Sequence, residues 1–133
     1  ISAPTILLGG GSAGHDNVAA IRGGGATQDI TVTSQLGLQG GGGGNGNYAS
    51  IGAFGTGTVQ TIHATGASVA LVGGNSGGVL NAENGADIGL GDSNVSGSQT
   101  VYAGYVLIDG GSAVFGGAGF GTANGAVEPL ERC

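Results

Sequence analysis

Residues 60–74 read Gln-Thr-Ile-His-Ala-Thr-Gly-Ala-Ser-Val-Ala-Leu-Val-Gly-Gly, and two features of this stretch decide the fold. Ile62 and Ala64, then Val69 and Leu71, alternate with other residues at the period of two expected of a β-strand with one buried face. The closing Gly73-Gly74 pair stops the run and turns the chain. The same order recurs on both sides. Gln28-Asp29-Ile30-Thr31-Val32 and Gln99-Thr100-Val101-Tyr102-Ala103 repeat its opening. LGLQGG from Leu36 and VLIDGG from Val106 repeat its end, with ILLGG from Ile6 as an earlier copy.

A third pattern, NxAxI, completes the unit: Asn17-Val18-Ala19-Ala20-Ile21, Asn47-Tyr48-Ala49-Ser50-Ile51 and Asn84-Gly85-Ala86-Asp87-Ile88, with Asn124-Gly125-Ala126-Val127-Glu128 as a fourth copy ending on a charge. Measured on the first glycine of each pair (Gly9, Gly40, Gly73, Gly110), the steps are 31, 33 and 37 residues. Most of the drift falls in Gly, Ser and Asn stretches, where loop insertions belong.

A unit of this length with three period-two strands cannot bury its own apolar face, whereas stacked units bury one another's. The expected fold is therefore all-β, a parallel β-solenoid of about four coils with three short strands per coil, the whole of residues 1–133 forming one Gly-rich domain. Like strands pair in parallel about 4.8 Å apart. That predicts inward rows of Ile30, Ile62 and Val101, of Leu38, Leu71 and Ile108, and of Ile21, Ile51 and Ile88 beside Ala19, Ala49 and Ala86. Asn17, Asn47, Asn84 and Asn124 are expected at strand-opening corners, because Asn tolerates a left-handed backbone, bonds neighbouring amides and forms ladders when stacked.

Composition supports strands and excludes other classes. Of 133 residues 34 are Gly, only two are Lys or Arg and eight are Asp or Glu, against about 7% Gly and roughly a quarter charged in an ordinary domain. Two prolines and no three-residue phase rule out collagen. A mean hydropathy of +0.25 with ordered apolar runs speaks against a disordered linker. With no Lys, only Arg22 and Arg132, and a net charge of −6, the chain has no basic patch for nucleic acid. No apolar run approaches a membrane span. The absence of Met leads to the expectation of a mature or excised piece of a longer precursor. Cys133 is the single cysteine, so it can pair only with another chain.

The QT[IV] openings, the VxLxGG strand and the NxAxI strand, from Ile6 to Ala126, resemble the repeat region of filamentous-haemagglutinin-like exoproteins, the right-handed β-helices that Gram-negative bacteria export by two-partner secretion. The resemblance implies a cell-surface or released fibre used in adhesion, aggregation or a matrix.

The GGxGxDxUx calcium nonapeptide is not matched, since GGSAGHD places Asp16 one position late and the period is not nine. Asp87, Asp92 and Asp109 read as solvated or N–H-accepting turn residues. His15 and His63 fall at different pattern positions and read as structural or surface groups. No nucleophile elbow, HExxH or P-loop occurs. No catalytic residue, metal or cofactor is assigned, and the chain is read as a non-enzyme. Thr31 and Thr33 suggest an ice-binding face that His63 and Tyr102 interrupt, and Tyr48, Tyr102 and Tyr105 are candidate platforms for a sugar. The functional expectation is an extracellular structural or adhesive fibre component. Its partner is expected to be further copies of itself, stacked end to end, because no terminal cap is recognisable after Asn124. A module that binds ice or a surface glycan is the alternative.

Overall fold

The computed structural model describes residues 1–77, 84–91, 97–113 and 116–122. Within them the chain forms strands and no helix: β1 (Ser2–Gly9), β2 (Ala19–Gly23), β3 (Thr27–Gln39), β4 (Ala49–Phe54), β5 (Val59–Val72), β6 (Ala86–Gly91), β7 (Ser98–Asp109) and β8 (Ala118–Thr122). They make two four-stranded sheets, ordered β1-β3-β5-β7 and β2-β4-β6-β8. Every neighbouring pair is parallel. The chain crosses from one sheet to the other at each step and returns one rung further along, which makes it a β-solenoid.

Equivalent residues stack on equivalent residues. Ile62 lies between Ile30 and Val101, and Leu8, Leu38, Leu71 and Ile108 form one column. In the second sheet Ile21, Ile51, Ile88 and Phe120 form another, beside Ala19, Ala49, Ala86 and Ala118. The middle members Ile30, Leu38, Ile51, Ile62, Leu71 and Ile88 are fully buried, each burial stabilising by about 1.5–3 kcal/mol. At the ends of the described stack Ile21, Val101 and Phe120 are half-buried and Ile108 is 37% exposed, because among the described residues an outer rung has a coil on one side only.

The three repeated patterns occupy two sheets rather than three strands per coil. The QxI and VxLxGG patterns run on as one long strand in β3, β5 and β7, bent where the register shifts between Thr31 and Gln35 and between Ala64 and Ser68. Extra residues on one strand of a pair bend it without ending it, and Gly66, at φ 79°, sits within this bend. The fourth rung of the second sheet is Ala118-Gly119-Phe120, aligned with Ala86-Asp87-Ile88. Asn124, which the repeat suggested for that rung, lies outside the described residues, as does Cys133.

The paired glycines inside the stack are imposed by the spacing of the coils, whereas a Cβ on Gly9 or Gly110 in the outer rungs would meet nothing within 4 Å. A Cβ on Gly40 would stand 2.6 Å from the Gly74 nitrogen and 2.8 Å from the Asn84 carbonyl, and one on Gly74 would stand 2.5 Å from the carbonyls of Asn84 and Gly41. Any side chain at these corners pushes one coil off the next.

Candidate functional site

The most organised polar groups in the molecule lie between coils. Asn17, Asn47 and Asn84 each stand two residues before the Ala that opens β2, β4 or β6. The Asn17 backbone N–H donates to Asn47 Oδ1 at 2.9 Å, and the Asn47 N–H donates to Asn84 Oδ1, also at 2.9 Å. Asn47 Nδ2 donates to Gly42 O of its own turn and Gly14 O of the coil before (3.2 and 3.0 Å). Asn84 Nδ2 repeats this with Ser76 O and Gly44 O, both at 2.7 Å. Each side chain thus ties a turn to itself and to its neighbour, and Asn47 and Asn84 are completely buried in doing so. The left-handed backbone expected of these corners is not used. Among the described residues the non-glycine with positive φ is Asp16, at 57°, and the asparagines act through their amides alone.

A second ladder, of glutamines, runs through the first sheet. Gln60 Nε2 donates to Gln28 Oε1 at 2.7 Å, and Gln99 Nε2 donates to Gln60 Oε1 at 2.6 Å. Gln28 and Gln60 also reach the carbonyls of Gly52 and Gly89 in the facing sheet, at 3.2 and 3.4 Å. The signal was present in the parity of the repeat. Gln28 is two residues from Ile30 and must share its inward face, so an amide there has to find partners inside. It finds them in the same residue of the adjacent coils, and no buried side-chain nitrogen or oxygen among the described residues lacks a hydrogen bond. Gln60→Leu fills the space but orphans Gln28 Oε1 and Gln99 Nε2. A loss of about 2–3 kcal/mol is expected, read as a lowered urea midpoint at unchanged slope.

The outer faces are less regular. Ser2, Thr31, His63 and Tyr102 occupy one outward column, so hydroxyl-bearing residues give way to a His63–Tyr102 ring stack with centroids 5.5 Å apart. Tyr102 and Tyr105 are 51% and 62% exposed. Tyr48 instead accepts a hydrogen bond from Arg22 Nη2 at 3.3 Å, and the guanidinium lies 5.8 Å from the centre of the Phe54 ring. His15 Nδ1 accepts the Asn45 N–H at 3.2 Å, and Asp109 Oδ1 caps the Gly111 N–H at 2.9 Å. Asp92 lies outside the described residues. Among the described residues no three His, Cys, Asp or Glu side chains converge as a metal set would. An open groove of about 440 Å³ crosses the corners from Gly9 and Gly10 to Asn75 and Ser76, lined chiefly by glycine backbone.

Asp87, on the outer side of β6, keeps solvent contact. Its carboxyl is nevertheless pushed up to about 6, by burial first, while the Arg22 charge pulls the other way. A raised carboxyl favours the protonated folded state, so this group's contribution to stability is largest at acid pH and declines as pH rises from about 4 through about 6. Asp87→Asn is expected to flatten that part of the profile. Melting temperatures of both proteins between pH 4 and pH 7 check it.

The geometry defines a parallel β-solenoid whose recurring polar and apolar residues join coil to coil. Set against known families, curated proteins and solved structures, the chain matches none of them.

Proposed function

We propose that this chain is a structural segment of an extracellular fibre, filament or surface matrix, with an adhesive role. The observation that carries the reading is the use made of the repeat. The residues that recur in each unit, Gln28, Gln60 and Gln99, Asn17, Asn47 and Asn84, and the Ile, Val and Leu columns, are engaged in coil-to-coil contact. A molecule built this way grows along one axis without changing its cross-section, since each coil meets only its neighbours. The pattern shared with filamentous-haemagglutinin-like exoproteins supports the same reading and a bacterial surface. Immunogold labelling of intact source cells with an antibody to this chain tests it. Label on surface fibres or in the surrounding matrix is expected; label confined to the cell interior would overturn it.

A binding module for surface glycan is the second reading, favoured by the exposed rings of Tyr102 and Tyr105 on one strand. A sugar face stacked there makes Tyr105→Ala lose glycan retention while folding is kept. The ice-binding alternative has less support, since its hydroxyl column is interrupted at His63 and Tyr102.

A further inference from the structure

We propose that Asn45, in the Asn45-Gly46 dipeptide of the turn before β4, is a site of spontaneous covalent modification in the folded protein, converting through a succinimide to aspartate and isoaspartate, while Asn84-Gly85 before β6 is kept inert by the asparagine ladder until the coils open. The inference concerns the chain's own backbone and stands apart from the fibre reading.

Asparagine is among the thermolabile residues, and the reaction needs only water. The backbone nitrogen of the following residue attacks Cγ. A new N–Cγ bond forms, the Cγ–Nδ2 bond breaks, and the amide proton ends on the departing ammonia. Water then opens the ring at either carbonyl. One opening gives aspartate; the other gives isoaspartate, whose main chain runs through Cβ and Cγ. A following glycine has no side chain to shield the attacking nitrogen. The chain carries this dipeptide at Asn45, Asn84 and Asn124, of which Asn124 lies outside the described residues. Asn17 and Asn47 instead precede Val18 and Tyr48, whose side chains crowd the attack.

The fold treats the two described dipeptides differently. Asn84 is completely buried, its Oδ1 accepts the Asn47 N–H at 2.9 Å, and its Nδ2 donates to Gly44 O and Ser76 O at 2.7 Å. The glycine beside it is pinned as well, since Gly85 O accepts the Ala49 N–H at 3.0 Å. Turning the Asn84 amide toward the Gly85 nitrogen therefore breaks bonds to two coils and places ammonia where no water reaches. Asn45 is only half-buried, and it belongs to the turn through its backbone: its N–H donates to His15 Nδ1 at 3.2 Å and its O accepts the Asp16 N–H at 2.9 Å. Gly46 follows at φ 70°, a left-handed conformation that suits glycine.

The product changes the corner in two ways. A carboxylate appears one residue from Gly46, against which Asp16 Oδ1 already lies, in a chain of net charge −6. Isoaspartate also lengthens the main chain two residues before Asn47, whose N–H reaches Asn84 Oδ1 and whose Oδ1 takes the Asn17 N–H. The added atom thus falls where the register of three coils is fixed.

The test is peptide mapping by mass spectrometry of the full chain held in mildly alkaline buffer, folded and in urea above its unfolding midpoint, with fragmentation that separates aspartate from isoaspartate. In the folded protein, exchange of ammonia for water should accumulate at Asn45. At Asn84 it should be slower by about tenfold or more, since a single buried hydrogen bond that must break raises the barrier by about that factor. In urea the two sites should react at similar rates. Asn45→Ser should remove the first product and leave Asn84 slow. The isoaspartate fraction, isolated by chromatography, should unfold at a lower urea concentration than Asn45→Asp, which carries the same charge on an ordinary backbone. Folded protein in which Asn45 is stable, or in which Asn84 reacts as fast as Asn45, would overturn the assignment. Asn84 staying slow in urea would show that the ladder is not its guard, and an isoaspartate fraction as stable as Asn45→Asp would contradict the effect on coil register.

Discussion

Ile62→Asp is expected to abolish folding, while His63→Asp, one residue away, leaves the protein folded. Ile62 is completely buried between Ile30 and Val101. A carboxylate placed there meets neither water nor a hydrogen-bond donor and costs several kcal/mol or more. Total stabilities are about 5–15 kcal/mol, and the lost isoleucine packing adds to the deficit. His63 faces solvent and loses only its stack on Tyr102, worth about 0.5–1.5 kcal/mol. Far-UV circular dichroism and urea unfolding separate the two. Because a one-residue slip exchanges the faces of a strand, equal damage at both positions contradicts the register.

Asn47→Ala has the next largest expected effect. It strips the acceptor from the Asn17 N–H and Nδ2 and the donor from the carbonyls of Gly14 and Gly42, with Asn47 and Gly42 buried and Asn17 and Gly14 on the exposed side of the corner. With about 1–3 kcal/mol for each buried group left unpaired, and some of the Asn17 groups able to reach solvent, the loss should be about 3–5 kcal/mol. Asn17→Ala should cost about 1 kcal/mol, because Asn17 is exposed and its Nδ2 bond to Ala13 O lies at the surface. Urea midpoints at constant slope give both values. A cost at Asn47 no greater than at Asn17 would mean the ladder contributes no more inside the stack than at its edge.

The parallel solenoid was legible because two signals agree: strands of period two around Ile62 and Val69, and their recurrence beside paired glycines at Gly40, Gly73 and Gly110. What was not legible depends on atoms that a residue pattern does not contain. The bend at Gln35 and Ser68 joins two patterns into one strand, and whether a chain bends or breaks there depends on hydrogen bonds to the next coil. The glutamines look like surface residues by type, and only their parity with Ile30 gives away a buried ladder. The fourth rung of the second sheet does not carry the NxAxI pattern, since Gly116 stands where Asn would be and Phe120 where Ile would be. The asparagine corners do not adopt the left-handed backbone that their residue type tolerates, and it is their amide bonding that the structure uses.

The stacking itself is tested most directly by methyl nuclear Overhauser spectroscopy on protein labelled at the isoleucine δ-methyl groups. The register places Ile51 one rung from both Ile21 and Ile88, and Ile62 one rung from Ile30. Cross-peaks from Ile51 to both of its column mates, and between Ile30 and Ile62, are the predicted result. Their absence in a folded sample would contradict the coil register on which this account stands.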